Sequence, residues 1–497
     1  MKINLVTKSV AAVATAGVMS SVMASGVTQS NDQWFKDGQA TLQQKLNAPR
    51  INGMAKNVIL FVGDGNGVTS NTAIRMYKGQ KEGGSGEEYV LSYEQFPHLA
   101  LAKTYNTNAQ TPDSAGTATA FLTGVKTKAG MLSVASNVDR GDCQAGMKNE
   151  VTTILELAEQ AGKSTGVVST ARITHATPAA AYAHSADRNY EDDSKLSAEQ
   201  KAAGCIDIAS QAVDSNVDVL FGGGRRHFIP KTMKDGEGKS GKRTDGRNLT
   251  KEWTKKYQNA SYIWNQAGFD KLNTEKTGPV LGLFNSSHME YEADRAKDKG
   301  GEPSLAEMTG KAIDILDNNK KGYFLLVEGG RIDHAHHAGN AARALEDGSA
   351  FADAVQAAME KTYQEDTLII VTADHSHTLT MQGYAKRGNP ILGLSVGVDG
   401  KGHPKTTPNL DDDGKPFTTL SYINGPGAVK GEREDLTNVD TTDIDYIQQA
   451  LFPKSSESHA GEDVAIYARG PKAWLMDGSV EQNYIFNVMG YASGLVK

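Results

Sequence analysis

The sequence predicts an α/β fold: a doubly wound, mostly parallel central sheet flanked by helices, with an inserted subdomain. Three observations predict it. Short, nearly continuous apolar runs recur at 57–62, 166–170, 217–221, 280–284, 323–327 and 366–371, as expected of strands buried on both faces. Helical periodicity appears between them, clearest at 305–316, where Leu305, Met308, Ala312 and Ile315 share one face. Most runs also end in a Gly-rich or His/Asp-rich segment, and open α/β sheets bind ligands at the carboxyl ends of their strands.

The chain has 497 residues, room for a large core, and its 38% hydrophobic and 22% charged content suits a globular protein. Residues 1–24 read as a signal peptide. Lys2 and Lys8 supply a positive start, 9–22 is apolar and small, and Val22-Met-Ala24 has the small-x-small form of a cleavage site. Export to a bacterial-type periplasm or beyond is therefore expected. Losing the leader removes two lysines and no acid, so the net charge moves from −7 to −9. That balance argues against nucleic acid as the main partner. An anionic substrate must then be attracted by local cations. Beyond the leader no run approaches the ~18 apolar residues of a membrane span.

Residues 32–46 read as an amphipathic helix with Trp34, Phe35, Leu42 and Leu46 near one face, suited to packing on a partner or on the body of the fold. Cys143 and Cys205 are the two cysteines. In an oxidising compartment one disulfide is the favoured reading, with two buried thiols as the alternative.

The first strand run leads into Gly63-Asp64-Gly65-Asn66-Gly67. It has neither the Gly-x-Gly-x-x-Gly continuation nor the Gly-Lys-Ser/Thr of nucleotide loops. Asp64, fixed between glycines at a strand end, is instead a candidate metal ligand, or simply a turn former. In Thr111-Pro-Asp-Ser114, Asp113 can cap a helix that Ser114 starts. A hydroxyl there faces free N–H groups that suit a phosphate. Without a Gly-x-Ser-x-Gly elbow, metal coordination is the remaining way to activate it. After 166–170 come His175, Thr177 and Arg188, the last able to clamp a phosphoryl oxygen.

The run 323–327 ends in Glu328, two glycines, and then Arg331, Asp333, His334, His336 and His337. Asp333 and His337 are four apart, so one helical turn puts both on one side, an oxygen and nitrogen pair that zinc accepts. The run 366–371 ends in Asp374-His-Ser-His377, and His459 precedes a further strand at 464–467. Taken alone, the Asp333–His337 pair reads more readily as a solvated loop, and Asp113-Ser114 as an ordinary N-cap. Together the clusters supply two nitrogen-rich sets for zinc and one all-oxygen set for a harder ion such as Mg²⁺. Two metals, a nucleophile and an arginine are the apparatus of in-line phosphoryl transfer. Residues 230–247 and 378–455 are rich in Gly, Asp and Lys. The first reads as a long exposed loop and the second as an inserted subdomain.

The motifs GDGNG, TPDSAGTATAFLTG, STARITHATPAAAYAH, VEGGRIDHAHH, TADHSH and SHAGEDVAIYARGP resemble, in order, those of the alkaline phosphatases. The resemblance runs from about residue 57 to 471. It is closer to the animal-type branch than to the enterobacterial one, since His175 and His334 stand where the latter has Asp and Lys. It implies an alkaline-phosphatase-like fold and hydrolysis of phosphate monoesters through a phosphoserine on Ser114, with Arg188 holding the phosphate. It implies one zinc on Asp333, His337 and His459, and a second on Asp64, Asp374, His375 and Ser114. It also implies Mg²⁺ on Asp64, Thr177 and Glu328, with His175, His334 and Asp113 as supporting residues. The Cys143–Cys205 pair resembles a disulfide of the animal branch. Calcium in that branch uses a Phe-Glu pair, and Phe284-Asn285 here lacks the carboxylate, which counts against that site. A homodimer with an N-terminal arm is usual in the family. The implied organisation is leader 1–24, arm 25–56, catalytic core 57–377, crown-like insertion 378–455 and returning core 456–497. Sulfatases and phosphodiesterases share the fold superfamily. Ser114 lacks the Cys/Ser-x-Pro-x-Arg context of the first, and the second would carry a threonine nucleophile. An exported metal-binding surface protein is the non-enzymatic alternative.

Overall fold

A computed structural model describes residues 28–48 and 50–496. The leader 1–24 lies outside the described residues. The chain divides into two units, 1–49 and 50–497. The first carries the helix Gln33–Leu46, started by Asp32, whose carboxylate accepts the N–H of Phe35 at 3.2 Å.

Fifteen strands are formed among the described residues. In chain order they are β1 (Asn57–Gly63), β2 (His98–Lys103), β3 (Ser164–Arg172), β4 (Val219–Gly223), β5 (Ser261–Ile263), β6 (Val280–Leu283), β7 (Tyr323–Gly329) and β8 (Thr367–Ala373). These are followed by β9 (Ser376–His377), β10 (Leu379–Met381), β11 (Leu420–Gly425), β12 (Ala450–Pro453), β13 (His459–Ala460), β14 (Val464–Arg469) and β15 (Gly478–Glu481). Ten of them build one sheet in the order β15-β2-β14-β8-β1-β7-β3-β4-β6-β5. The run from β8 to β5 is parallel, and β14 lies antiparallel to both of its neighbours.

The side-chain period of two divides each central strand between two cores. In β1, Val58, Leu60 and Val62 join one apolar cluster while Ile59 and Phe61 join the other. β7 and β8 split in the same way, with Leu326 and Ile370 on the first side and Val327 and Ile369 on the second. The helix Ser114–Thr123 covers the first face through Ala115, Ala118, Phe121 and Leu122. The helices Leu305–Leu316 and Ala341–Lys361 cover the second. Leu305–Leu316 starts where the sequence places it because Ser304 and Glu307 cap it reciprocally.

One expectation is corrected. The strand expected at 217–221 runs over Val219–Gly223, taking in Gly222 and Gly223, because a Cβ at Gly223 would stand 2.1 Å from the Ser287 carbonyl oxygen. The stretch 230–247 is a mostly exposed loop, as expected, with Gly241 and Arg243 turned inward. Arg243 is fully buried, held by both oxygens of Asp207 at 2.8 and 3.0 Å and by Asp245. Composition marks such a segment as polar but does not show that its charges are paired internally.

Beyond β8, β10, β11 and β12 form a separate three-stranded sheet, and β9 pairs with β13 so that His377 stands opposite His459. Cys143 and Cys205 are joined by a disulfide. No helix among the described residues is long and apolar enough to cross a membrane.

Candidate active site

The carboxyl ends of β3, β7, β1 and β8, four neighbours in the sheet, deliver the polar clusters to one place. Asp64 follows β1, Glu328 is in β7, Asp374 and His375 follow β8, and Thr177 lies just beyond β3. Asp333 and His337 lie on the helix Arg331–His337. Gly65 permits the crowding: its φ is +70°, and a Cβ there would fall 2.4 Å from the His377 ring.

Ser114 is the first residue of its helix and is 2% exposed. Asp113 caps that helix through the Gly116 N–H at 3.1 Å. Ser114 Oγ lies 3.1 Å from His375 Nε2 and 3.4 Å from Asp64 Oδ1. His375 Nδ1 donates to the Ser376 carbonyl at 3.3 Å, which leaves Nε2 as the bare nitrogen facing the serine. Burial, then the His459 imidazole, holds His375 well below the usual histidine range and so neutral. His375 Nε2 is also 3.3 Å from Asp374 Oδ2.

Asp333 Oδ1 is the centre of a second group. His377 Nε2 is 2.8 Å away, His459 Nε2 3.3 Å and His337 Nε2 3.4 Å. Burial works against the charge of Asp333, but His337 and its neighbours hold its carboxyl well below the ordinary range.

A third group is all oxygen. Asp64 Oδ2, Thr177 Oγ1 and Glu328 Oε1 are each buried without a hydrogen-bond partner. Burial pushes Asp64 well above the usual range, helped by Asp333, Asp374 and Glu328, and burial pushes Glu328 up to about 7. Orphaned buried oxygens beside crowded carboxylates are costly unless a cation completes them. The donor sets therefore fit metals on chemical grounds: nitrogen with oxygen at the first two groups, oxygen alone at the third.

Arg188 reaches the cluster through Asp113 Oδ2 at 3.1 Å and His175 Nε2 at 3.1 Å. His175 lies with Asp64 and Glu328, and its ring also meets that of His334, centroids 5.4 Å apart. Three site neighbours carried no role in the sequence reading. His288 packs on His334 with centroids 4.0 Å apart, Ser169 bonds Glu328, and Glu457 bonds His377. His377 itself was visible in the Asp-His-Ser-His run, whereas Glu457 sits in a serine-rich stretch that gives no signal.

Asn285 Nδ2 donates to Glu302 Oε1 at 2.7 Å.

The alkaline phosphatase family model matches residues 55–495. The chain belongs to the alkaline phosphatase family. It is 46% identical to the tissue-nonspecific alkaline phosphatase of Homo sapiens, over 93% of this chain and 88% of that one. It is also 46% identical to an alkaline phosphatase of Gadus morhua, over 93% of this chain and 96% of that one. The solved structure of Thermus thermophilus alkaline phosphatase superposes with a TM-score of 0.64 at 23% identity, covering 91% of this chain and 94% of that chain, a likeness of fold. The chain is accordingly a phosphomonoesterase with an alkaline-phosphatase-like fold. In this phosphatase the residue clusters able to hold metal ions gather at the strand ends that carry Asp64, Glu328 and His375.

Proposed function

We propose that the enzyme hydrolyses phosphate monoesters through a phosphoserine on Ser114, with two zinc ions and one magnesium ion per chain. The observation that carries this reading is the contact of Ser114 Oγ with His375 Nε2 and Asp64 at the first turn of a buried helix. Asp333, His337 and His459 would hold one zinc. Asp64, Asp374 and His375, with Ser114, would hold the other. Asp64, Thr177 and Glu328 would hold magnesium, with His175 beside it. These ions supply Lewis acidity, which lowers the pKa of bound hydroxyls and offsets charge on the phosphoryl oxygens.

The chain's own groups do the rest. Asp113 fixes both the helix start and Arg188, so nucleophile and phosphate clamp are aligned by one carboxylate. Arg188 can turn its forked N–H groups to two phosphoryl oxygens. The helix N-terminus adds partial positive charge at the serine. In the first step Ser114 Oγ forms a bond to phosphorus and the ester oxygen leaves as the alcohol. In the second, water attacks phosphorus, the serine is released and inorganic phosphate departs.

The same proposal takes 1–24 as an export signal for the periplasm or the medium and 378–455 as a crown-like insertion. It takes 25–56 as the arm of a homodimer.

The test is hydrolysis of a chromogenic phosphate monoester at alkaline pH by wild type and Ser114→Ala, before and after chelation, with zinc and magnesium restored. Activity lost to chelator, regained with both metals and absent in the variant is expected. A folded, metal-replete wild type that is inactive would overturn the reading.

A further inference from the structure

Glu457 stands outside every ligand set named above, yet it touches two of the histidines around Asp333. It lies in a polar stretch, Lys454-Ser-Ser-Glu-Ser-His459, that composition marks as exposed. It is instead 1% exposed. A buried carboxylate is costly unless its lone pairs are used, and here they are. Oε2 accepts from His377 Nδ1 at 2.5 Å. Oε1 accepts from the Thr378 N–H at 2.7 Å and from its hydroxyl at 2.6 Å. The backbone is committed as well: the Glu457 carbonyl accepts from His337 Nδ1 at 2.6 Å, and its N–H donates to the His337 carbonyl at 2.9 Å.

The consequence is geometric. Both rings are gripped by their Nδ1 edges, so both present Nε2 to Asp333 Oδ1, at 2.8 Å for His377 and 3.4 Å for His337. Moving the His337 proton to Nε2 would break its bond to the carbonyl. Rotating the carboxylate would break both bonds from Thr378. One residue thus fixes the tautomer of His337 and the orientation of two rings, on the side away from the point where they converge. Groups in that position tune metal affinity without touching the metal.

We infer that Glu457 is a positioning residue for metal binding at the Asp333, His337 and His459 cluster, acting through His377 and His337. This inference rests on the metal reading proposed above. The alternative is a purely structural role, in which Glu457 only ties the loop before His459 to the helix Arg331–His337.

Glu457→Gln separates the two. It keeps the volume and both backbone bonds to His337. It also places an amide N–H₂ either against the His377 Nδ1 proton or against the two donors of Thr378, so one acceptor is lost in either orientation. Zinc affinity of the full mature protein is measured by competition with a chromophoric chelator. The cobalt-loaded protein is compared by its visible d–d spectrum, which a structural tie would leave unchanged. The expected result is zinc bound about 10- to 100-fold more weakly at one site per chain, with a changed cobalt spectrum and a metal-free unfolding midpoint close to wild type. Wild-type zinc affinity and an unchanged spectrum in the folded variant would overturn the inference while leaving the phosphatase mechanism intact. If the variant does not fold, Thr378→Val removes only the hydroxyl that steadies Oε1. Weaker zinc at the same site is then expected, and unchanged affinity overturns the inference. Wild type that takes up no zinc would remove both this inference and the metal reading beneath it.

Discussion

His337 and His459 face each other through Nε2 atoms 3.1 Å apart. Each has already committed its Nδ1 proton to a backbone carbonyl, His337 to Glu457 at 2.6 Å and His459 to Pro112 at 2.8 Å. With Nδ1 occupied, both rings turn Nε2 toward one point beside the Asp333 carboxylate. That arrangement repels itself unless a cation lies within it. Chelation is therefore expected to lower the unfolding midpoint, and zinc to restore it in a concentration-dependent way. A ligand at about a thousand times its Kd stabilises the folded state by about 4 kcal/mol. Differential scanning fluorimetry across a zinc titration checks this, and a midpoint insensitive to chelator and zinc would contradict it.

Replacing Ser114 tests the covalent step separately from metal binding. Ser114→Ala is expected to lose more than about 10³-fold in kcat, because the proposed route begins with attack by Ser114 Oγ. Wild type quenched in acid during turnover should carry one phosphoryl group on the peptide containing Ser114, detected by mass spectrometry. The variant should carry none there. A phosphoryl group found on another residue would sink the assignment.

The central strands were legible because their physics is local. Residues 57–62, 323–327 and 366–371 are apolar on both faces, and both faces of β1, β7 and β8 are buried. β15, at the edge of the sheet, and β2 beside it carry no such apolar run. His-Leu-Ala-Leu-Ala-Lys leaves alternate residues partly exposed, and Gly-Ser-Val-Glu has no apolar run at all. The site divides along the same line. Asp64, Asp333, Asp374 and His375 announce themselves by standing at strand ends. Glu457 meets His377 across eighty residues of chain, and His288 meets His334 across forty-six, contacts that only the folded sheet creates. Arg243 shows the same limit, since nothing near it in sequence except Asp245 signals the Asp207 pair that lets it be buried.

Asp347 gives a pH signature. It is buried, and burial pushes its carboxyl up to about 8 from an ordinary value of 3.8. The folded chain thus keeps this proton more tightly than the unfolded chain. Below the unfolded value both states are protonated and the favourable contribution is complete. As pH rises from about 4 toward 8 the unfolded state ionises first, and stability falls by at most about 1.4 kcal/mol per pH unit from this group. Above 8 the loss is complete and constant. Asp347→Asn can still accept the Glu292 N–H that Oδ2 accepts now at 3.2 Å, and it has no charge to bury. Its Tm should exceed that of wild type at pH 9 and the advantage should vanish near pH 4. An advantage that is the same at both pH values would show that ionisation is not the cause.

The Cys143–Cys205 disulfide spans 62 residues and encloses Arg188. Closing a loop of that length is worth roughly 4 kcal/mol in the chain-entropy model. The double Cys→Ser variant should therefore lose several degrees in Tm. It should also raise KM more than it lowers kcat, because the loosened loop carries Arg188, the proposed phosphate clamp, while Ser114 lies outside it. Equal effects on both constants would argue that the bridge serves global stability alone.

Arg188→Lys keeps the charge and removes the fork. The guanidinium now divides its donors between Asp113 and His175, at 3.1 Å each. A lysine has one ammonium to offer and cannot bond two phosphoryl oxygens in a fixed plane. One charge-assisted hydrogen bond is worth about 1.5–3 kcal/mol, so inorganic phosphate should inhibit the variant about 10- to 100-fold more weakly than wild type. The measurement is the competitive inhibition constant for phosphate at fixed zinc and magnesium. A second arm compares Asp113→Asn, which leaves Arg188 in place but weakens its tether. If Arg188 acts on phosphate and Asp113 acts through Arg188, the lysine change should show the larger loss. The double variant should lose less than the two separate effects combined. Full additivity would mean that the Asp113–Arg188 contact is not how the clamp is set.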